Sequence, residues 1–155
     1  MKLSEVLTPE RIRIPLASSS KEAVLRELVS LLPGRDSTER ETILEAVLER
    51  EGRMSTGIGQ GVAIPHGKTG VVKGMEMAFG IASEPIDYGA LDGEPVDVFF
   101  LLLSPPDLTA PHIKMLAGIS RMLSSDTFRD ELAAAVDAED VLVLFRREEA
   151  LADED

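Results

Sequence analysis

The chain has 155 residues, 44% of them hydrophobic, and a formal net charge of -12, which fits one globular domain able to bury its own core. That excess of acid excludes a nucleic-acid binder and disfavours docking on anionic lipid. The absence of cysteine excludes disulfides and thiolate metal sites; with no apolar signal region at the start and a longest apolar run, Val98 to Leu103, far too short for a bilayer, the expectation is a cytoplasmic protein with no membrane insertion.

Along the chain, Ile12, Ile14 and Leu16 alternate with Arg13 and Pro15, predicting a short edge strand. Ser18 to Ser20 offers an N-cap to a helix carrying Ala23, Val24, Leu25, Leu28, Leu31 and Leu32, stopped by Pro33-Gly34. A second helix starts at Asp36 or Ser37, lines up Ile43, Leu44, Val47 and Leu48, and ends near Gly52. Val62 to Ile64 is a short buried strand leading into Pro65-His66, and Met75 to Ala82 is another strand. Val96 to Leu103 is almost continuously apolar, the mark of a central strand covered on both faces. After Pro105-Pro106, a helix opens with Thr109 or Ala110 as cap and Pro111 in its first turn. Its apolar stripe is Ile113, Met115, Leu116, Ile119, Met122 and Leu123, with Gly118 placed for close packing. Helices over about 126–135 and 138–147 follow, and residues 148–155 read as an acidic, frayed tail on a domain covering residues 1–147. Alternating helices and strands predict a single-domain α/β sandwich with a mixed sheet.

The run Ser55-Thr56-Gly57-Ile58-Gly59-Gln60-Gly61-Val62-Ala63-Ile64-Pro65-His66-Gly67-Lys68 carries the chemistry, setting one of only two histidines among glycines. A histidine is a nucleophile at neutral pH without special activation. Glycines let backbone N–H groups approach an anion closely, so Gly57, Gly59 and Gly61 would supply amides to a phosphoryl group on the ring, and Gly67 leaves room beside it. Pro65 holds Ile64 extended. No acid occurs from Gly52 to Met75, whereas Arg53, Lys68 and Lys73 do. Ser55 and Thr56 are candidate hydroxyl donors to phosphate. His112 falls in the first turn of a helix, where the dipole favours neutral imidazole. Arg50 closes the second helix, an ordinary place for a basic residue and also a place for a phosphate fork. No Gly-x-Ser-x-Gly elbow and no Walker-type loop occur. The histidine spacing supports no metal site, and no cofactor is expected. Tyr88 offers no physical case for a role.

The glycine-histidine run closely resembles the phosphorylation-site motif of type-2 enzyme IIA domains of the bacterial phosphotransferase system, the fructose–mannitol and nitrogen-regulatory class. Glu49-Arg50-Glu51 precedes the motif as in that family. The stretch from Pro85-Ile86 through Leu91-Asp92-Gly93-Glu94-Pro95-Val96-Asp97 resembles its central hairpin, and the similarity spans roughly Leu3 to Phe145. Ser-Thr-Gly-Ile-Gly-x-Gly is closest to the nitrogen-regulatory wording. The resemblance implies a mixed, mostly parallel five-stranded sheet flanked by helices. It further implies His66 as the residue phosphorylated, on Nε2, by a phosphorylated histidine carrier protein, with His112 stabilising the phosphoryl group and Arg50 contacting its oxygens. The acceptor it implies is either a regulated target protein or a sugar-transport IIB protein. A binding module without phosphotransfer is the reading outside that class.

Overall fold

The computed structural model describes residues 2–153. In chain order the elements are a one-turn helix Leu3–Val6 (α1), a 3-10 turn Pro9–Arg11, strand Ile12–Leu16 (β1), and helices Lys21–Ser30 (α2) and Ser37–Arg53 (α3). Three short strands follow, Gly57–Gly59 (β2), Val62–Ala63 (β3) and His66–Lys68 (β4), then two long ones, Glu76–Ile86 (β5) and Val96–Ser104 (β6). Helices Thr109–Leu123 (α4), Asp126–Ala133 (α5) and Ala138–Asp153 (α6) complete the chain.

The sheet runs β1-β5-β6-β3-β2, with β4 also on β6. Both β3 and β4 pair parallel with the same edge of β6, Val62 opposite Val98 and His66 opposite Leu102. They are two segments of one interrupted line, so the sheet is five strands wide. β1 lies parallel to β5 at the outer edge, where the missing amide of Pro15 breaks no ladder. β5 and β6 form the expected antiparallel hairpin, and β2 folds back antiparallel on β3.

Caps set the helices on one face. The Ser20 hydroxyl accepts from the Ala23 amide, and Asp36 with Glu39 forms a capping box in which the Asp36 carboxylate accepts from the Glu39 amide at 2.8 Å. Side chains of β6 alternate between two cores, which is why its apolar run is continuous. Phe99, Leu101 and Leu103 pack with Val24 and Leu28 of α2 and Ile43 and Val47 of α3. Val98, Phe100 and Leu102 pack with Ile119 of α4, Phe128 of α5 and Val141 of α6. Phe145 organises this second core, meeting Phe79, Phe100 and Phe128 edge-on at ring centroids of 5.5, 5.6 and 5.3 Å.

Several local expectations change. Leu108, not Thr109 or Ala110, is the N-cap of α4. Ile113, expected on the buried stripe, is 60% exposed. A Cβ on Gly118 would meet nothing within 4 Å, so close packing is not its reason. α2 ends at Ser30, and Leu31 and Leu32 are buried in a closing turn instead. Residues 148–153, expected as a frayed tail, are helical. There the Glu149 carboxylate accepts from the amides of Leu3 (2.5 Å) and Ser4 (2.9 Å), satisfying the open N-terminus of α1. The rest of that expected tail, residues 154–155, lies outside the described residues. Among the described residues no helix is long and apolar enough to cross a membrane.

Candidate active site

β2 pairs with β3 and not with β4. At the level of His66 the sheet therefore ends at β4, and α3 and α4 meet around that edge from opposite faces. Between them opens a cavity of about 410 Å³ lined by Glu49, Arg50 and Arg53 of α3, His66, Gly67 and Lys68 of β4, and His112, Ile113 and Leu116 of α4. The structure thus brings together the three residues singled out for chemistry. The rings of His66 and His112 lie 5.6 Å apart, tilted by 58°.

Backbone geometry fixes the His66 ring. The Ile64 amide donates to the Thr56 carbonyl at 3.0 Å, and the Pro65 carbonyl accepts from the Leu102 amide at 3.0 Å. These bonds pin the two residues before the histidine. His66 Nδ1 then lies 2.8 Å from the Ile64 carbonyl oxygen. A carbonyl only accepts, so the ring proton is on Nδ1 and Nε2 keeps its lone pair. Burial pushes the His66 pKa down; the Ile64 carbonyl and Glu51 push up, Arg50 and Lys68 push down, and the net is below the ordinary value. The ring is neutral at pH 7.

His112 is buried, with Nδ1 2.6 Å from the Ser104 hydroxyl. Its pKa is pushed down to about 4, by burial first and then by His66 and Lys68. Neutrality was expected from the helix dipole; burial is a further cause that lowers this ring's pKa. Arg50 donates through one Nη to the Met54 carbonyl at 2.7 Å, which anchors its fork to the end of α3. Of the carboxylates on either side of it, Glu49 also lines the cavity, where it pairs with Arg53 at 2.7 Å, and Glu51 turns away to Lys21 at 3.0 Å. Lys68 donates to the Thr109 hydroxyl at 3.1 Å.

The glycine run is placed differently from its expected role. Gly59 and Gly61 have φ of 102° and 80°, with Gln60 between them at 60°, so they build the tight β2–β3 turn. The Gln60 amide donates to Asp92 at 2.9 Å, and the Gly57 amide to the Ser55 hydroxyl at 3.1 Å. Gly57, Gly59 and Gly61 do not line the histidine cavity. Thr56 also points elsewhere. Its hydroxyl meets the Glu51 carboxylate and the Tyr88 hydroxyl in a buried cluster. There Glu51 also accepts from the Thr56 amide at 2.9 Å and from Tyr88 at 2.9 Å.

Sequence reasoning missed this cluster and Ser104. The one signal for Glu51 was an acid in the last turn of a helix, against the dipole. Ser104 and Tyr88 carried none, since only the fold brings them to their partners.

Gly67 is the glycine that shapes the cavity. A Cβ there would lie 3.3 Å from the backbone of Ala46 and Val47, so its absence lets α3 press directly on β4. Gly67→Ala is expected to cost about 1–3 kcal/mol through overpacking. It also moves Arg50 away from His66, so a lower melting temperature should accompany weaker anion binding in the cavity.

A sequence profile described as the phosphoenolpyruvate-dependent sugar phosphotransferase system, EIIA 2, matches residues 5–148. The chain is 36% identical over 139 residues to a nitrogen regulatory protein of Bradyrhizobium diazoefficiens, covering 90% of this chain and 91% of that one. It is 35% identical over 144 residues to the fructose-specific EIIABC component of Bacillus subtilis, covering 92% of this chain but only 22% of that relative. The crystal structure of the nitrogen regulatory protein IIA-Ntr from Neisseria meningitidis superposes with a TM-score of 0.87 at 34% identity, covering 92% of this chain and 98% of that one.

Proposed function

This chain belongs to the EIIA 2 family of the phosphoenolpyruvate-dependent sugar phosphotransferase system, and from that premise we propose that it is a phosphocarrier accepting a phosphoryl group on Nε2 of His66 from a phosphohistidine of a carrier protein. One observation carries the reading: the Ile64 carbonyl holds the ring proton on Nδ1, presenting a bare Nε2 in a cavity with Arg50, Lys68 and neutral His112.

The Nε2 lone pair forms the new N–P bond as the donor's N–P bond breaks, and that electron pair returns to the donor imidazole. The His66 proton stays on Nδ1, against Ile64 O, so no base is needed at the bond-forming nitrogen. Charge spreads over three equatorial oxygens in the transition state. Arg50 offers its fork to two of them, Lys68 a point charge, and His112 faces the group from across the cavity. The cations of the cavity on an otherwise acidic surface favour approach of the phosphorylated partner. Ile113 and Leu116 of its lining give that partner something apolar to pack against.

The nitrogen-regulatory relative supports a regulatory output, in which phosphate changes the partner protein that His66's face accepts. The fructose-specific relative supports a second reading, transfer onward to a sugar-transport IIB protein. Deleting the protein separates them: loss of one sugar's phosphorylation-coupled uptake favours transport, and altered regulation with uptake intact favours the regulatory reading. The phosphocarrier reading is tested by incubating the chain with phosphoenolpyruvate, enzyme I and the histidine carrier. Acid-labile phosphate should appear on it; a wild-type chain that accepts none from any cognate carrier overturns the proposal.

A further inference from the structure

We propose that Ser104 is a positioning residue that fixes the tautomer of His112, holding its ring proton on Nε2 so that this nitrogen donates a hydrogen bond into the cavity. The inference rests on the phosphocarrier reading for its consequence, but its geometry stands alone. Ser104 is the last residue of β6 and is fully buried, at 0% exposure. Its main chain is tied in place, opposite Lys68 of β4 and accepting from the Thr69 amide at 3.0 Å. Its hydroxyl lies 2.6 Å from His112 Nδ1, its one hydrogen bond among the described residues.

Two arrangements satisfy that distance. If Nδ1 carried the proton, the hydroxyl would accept it, and the buried O–H would have no acceptor of its own. If the hydroxyl donates to a bare Nδ1, both groups are satisfied. A neutral ring with Nδ1 bare has its proton on Nε2. His112 cannot resolve the conflict by taking a second proton, because burial and the neighbouring cation of Lys68 disfavour the charged form.

The cavity then holds two neutral imidazoles in opposite tautomers, each set by a different partner. The Ile64 carbonyl, which only accepts, leaves His66 with a lone pair at Nε2. The Ser104 hydroxyl, which must donate, leaves His112 with an N–H at Nε2. One ring is shaped to attack phosphorus and the other to hydrogen-bond an equatorial oxygen. A His112 in the other tautomer would turn a lone pair toward the same anionic oxygens and repel them.

The experiment is a long-range proton–nitrogen spectrum of the intact chain with ¹⁵N-labelled histidine at neutral pH, on wild type, Ser104→Ala and Ser104→Thr. In wild type, His112 should show a bare Nδ1 and a protonated Nε2, and His66 the reverse. Ser104→Ala should give a mixed His112 tautomer with His66 unchanged, and Ser104→Thr, which keeps the hydroxyl, should restore the wild-type signature. Removing one preorganised donor outright costs about 10²–10³ in rate, and a ring still in the useful tautomer part of the time loses less, so phosphoryl acceptance by Ser104→Ala should fall about tenfold. A wild-type His112 protonated at Nδ1 overturns the proposal without any variant. A tautomer unmoved in Ser104→Ala also overturns it. Should Ser104→Ala not fold, the wild-type spectrum and Ser104→Thr decide. A chain with the expected tautomers that accepts no phosphate supports the assignment of Ser104 while overturning the phosphocarrier reading, so the two failures are told apart.

Discussion

His66→Ala should accept no phosphoryl group while melting within a few degrees of wild type. The side chain is half-buried and, among the described residues, makes a single hydrogen bond, at 2.8 Å to the Ile64 carbonyl just before its strand, so its removal costs stability on the order of 1 kcal/mol. The reaction, by contrast, loses its only nucleophile. His112 cannot substitute, because its ring is buried and its Nδ1 is engaged with Ser104. The expected result is acid-labile phosphate on wild type and none on His66→Ala, measured beside a thermal melt. The pH dependence of wild type follows from the same ring. The attacking form is neutral, and the His66 pKa is lowered from the ordinary value of 6.5, by burial first. Acceptance should therefore stay level through neutral pH and fall only at a pH below that of a free histidine. A midpoint above the free-histidine value would contradict the observed burial and the nearby cations.

The framework of this site was legible in local pattern. Alternation fixed β1, helical spacing and caps fixed α2 and α3, and an unbroken apolar run fixed β6 as a central strand. Those are properties of neighbouring residues, which the sequence displays directly. What pattern did not show was created by pairing across the fold. β2 is Gly-Ile-Gly and β4 is His-Gly-Lys, neither with strand character of its own; each is extended because β3 or β6 supplies its hydrogen bonds. The glycines illustrate the limit. Four of them surround the histidine motif with similar chemistry, yet Gly59 and Gly61 serve a turn, Gly57 gives room to Ala90, and only Gly67 reaches the cavity. α6 outran its expected end because Glu149 has work at α1, a contact made 145 and 146 residues away in sequence. His66, Arg50 and His112 were singled out by their local chemistry and given roles by the resemblance, and the fold gathers them around one cavity. Ser104 was out of reach, because its meaning depends on where the β6–α4 connection returns His112.

Glu51→Gln should be the most destabilising near-isosteric change around the cavity, and the pH dependence of its effect is diagnostic. The residue is only 7% exposed at the end of α3, yet it accepts from the Thr56 amide and hydroxyl, the Tyr88 hydroxyl and the Lys21 ammonium. Burial alone pushes its carboxyl up; the Thr56 bonds, Lys21 and Tyr88 outweigh it and hold the pKa below the ordinary 4.5. A glutamine has one acceptor oxygen in place of two and turns N–H donors toward groups that themselves donate. Hydrogen bonds to a charged group are worth about 1.5–3 kcal/mol each, but the loss is shared, so about 2–4 kcal/mol is expected. For a chain of this size that lowers the melting temperature by about 4–16 °C at pH 7. The sign is fixed by the direction of the shift. A carboxyl with a depressed folded pKa contributes stability that is complete above the unfolded pKa and lost as pH falls through the folded one. The gap between wild type and Glu51→Gln should therefore be constant at neutral pH and close below about pH 4, where the unfolded chain's glutamate protonates. A gap unchanged across that window would mean packing, not charge, holds the cluster. Because the cluster ties Thr56 to the turn that carries Arg50, the variant should also slow phosphoryl acceptance at temperatures where it remains folded. The buried carboxylate thus holds in place Thr56, whose carbonyl pins Ile64, and Ile64 in turn sets the ring of His66.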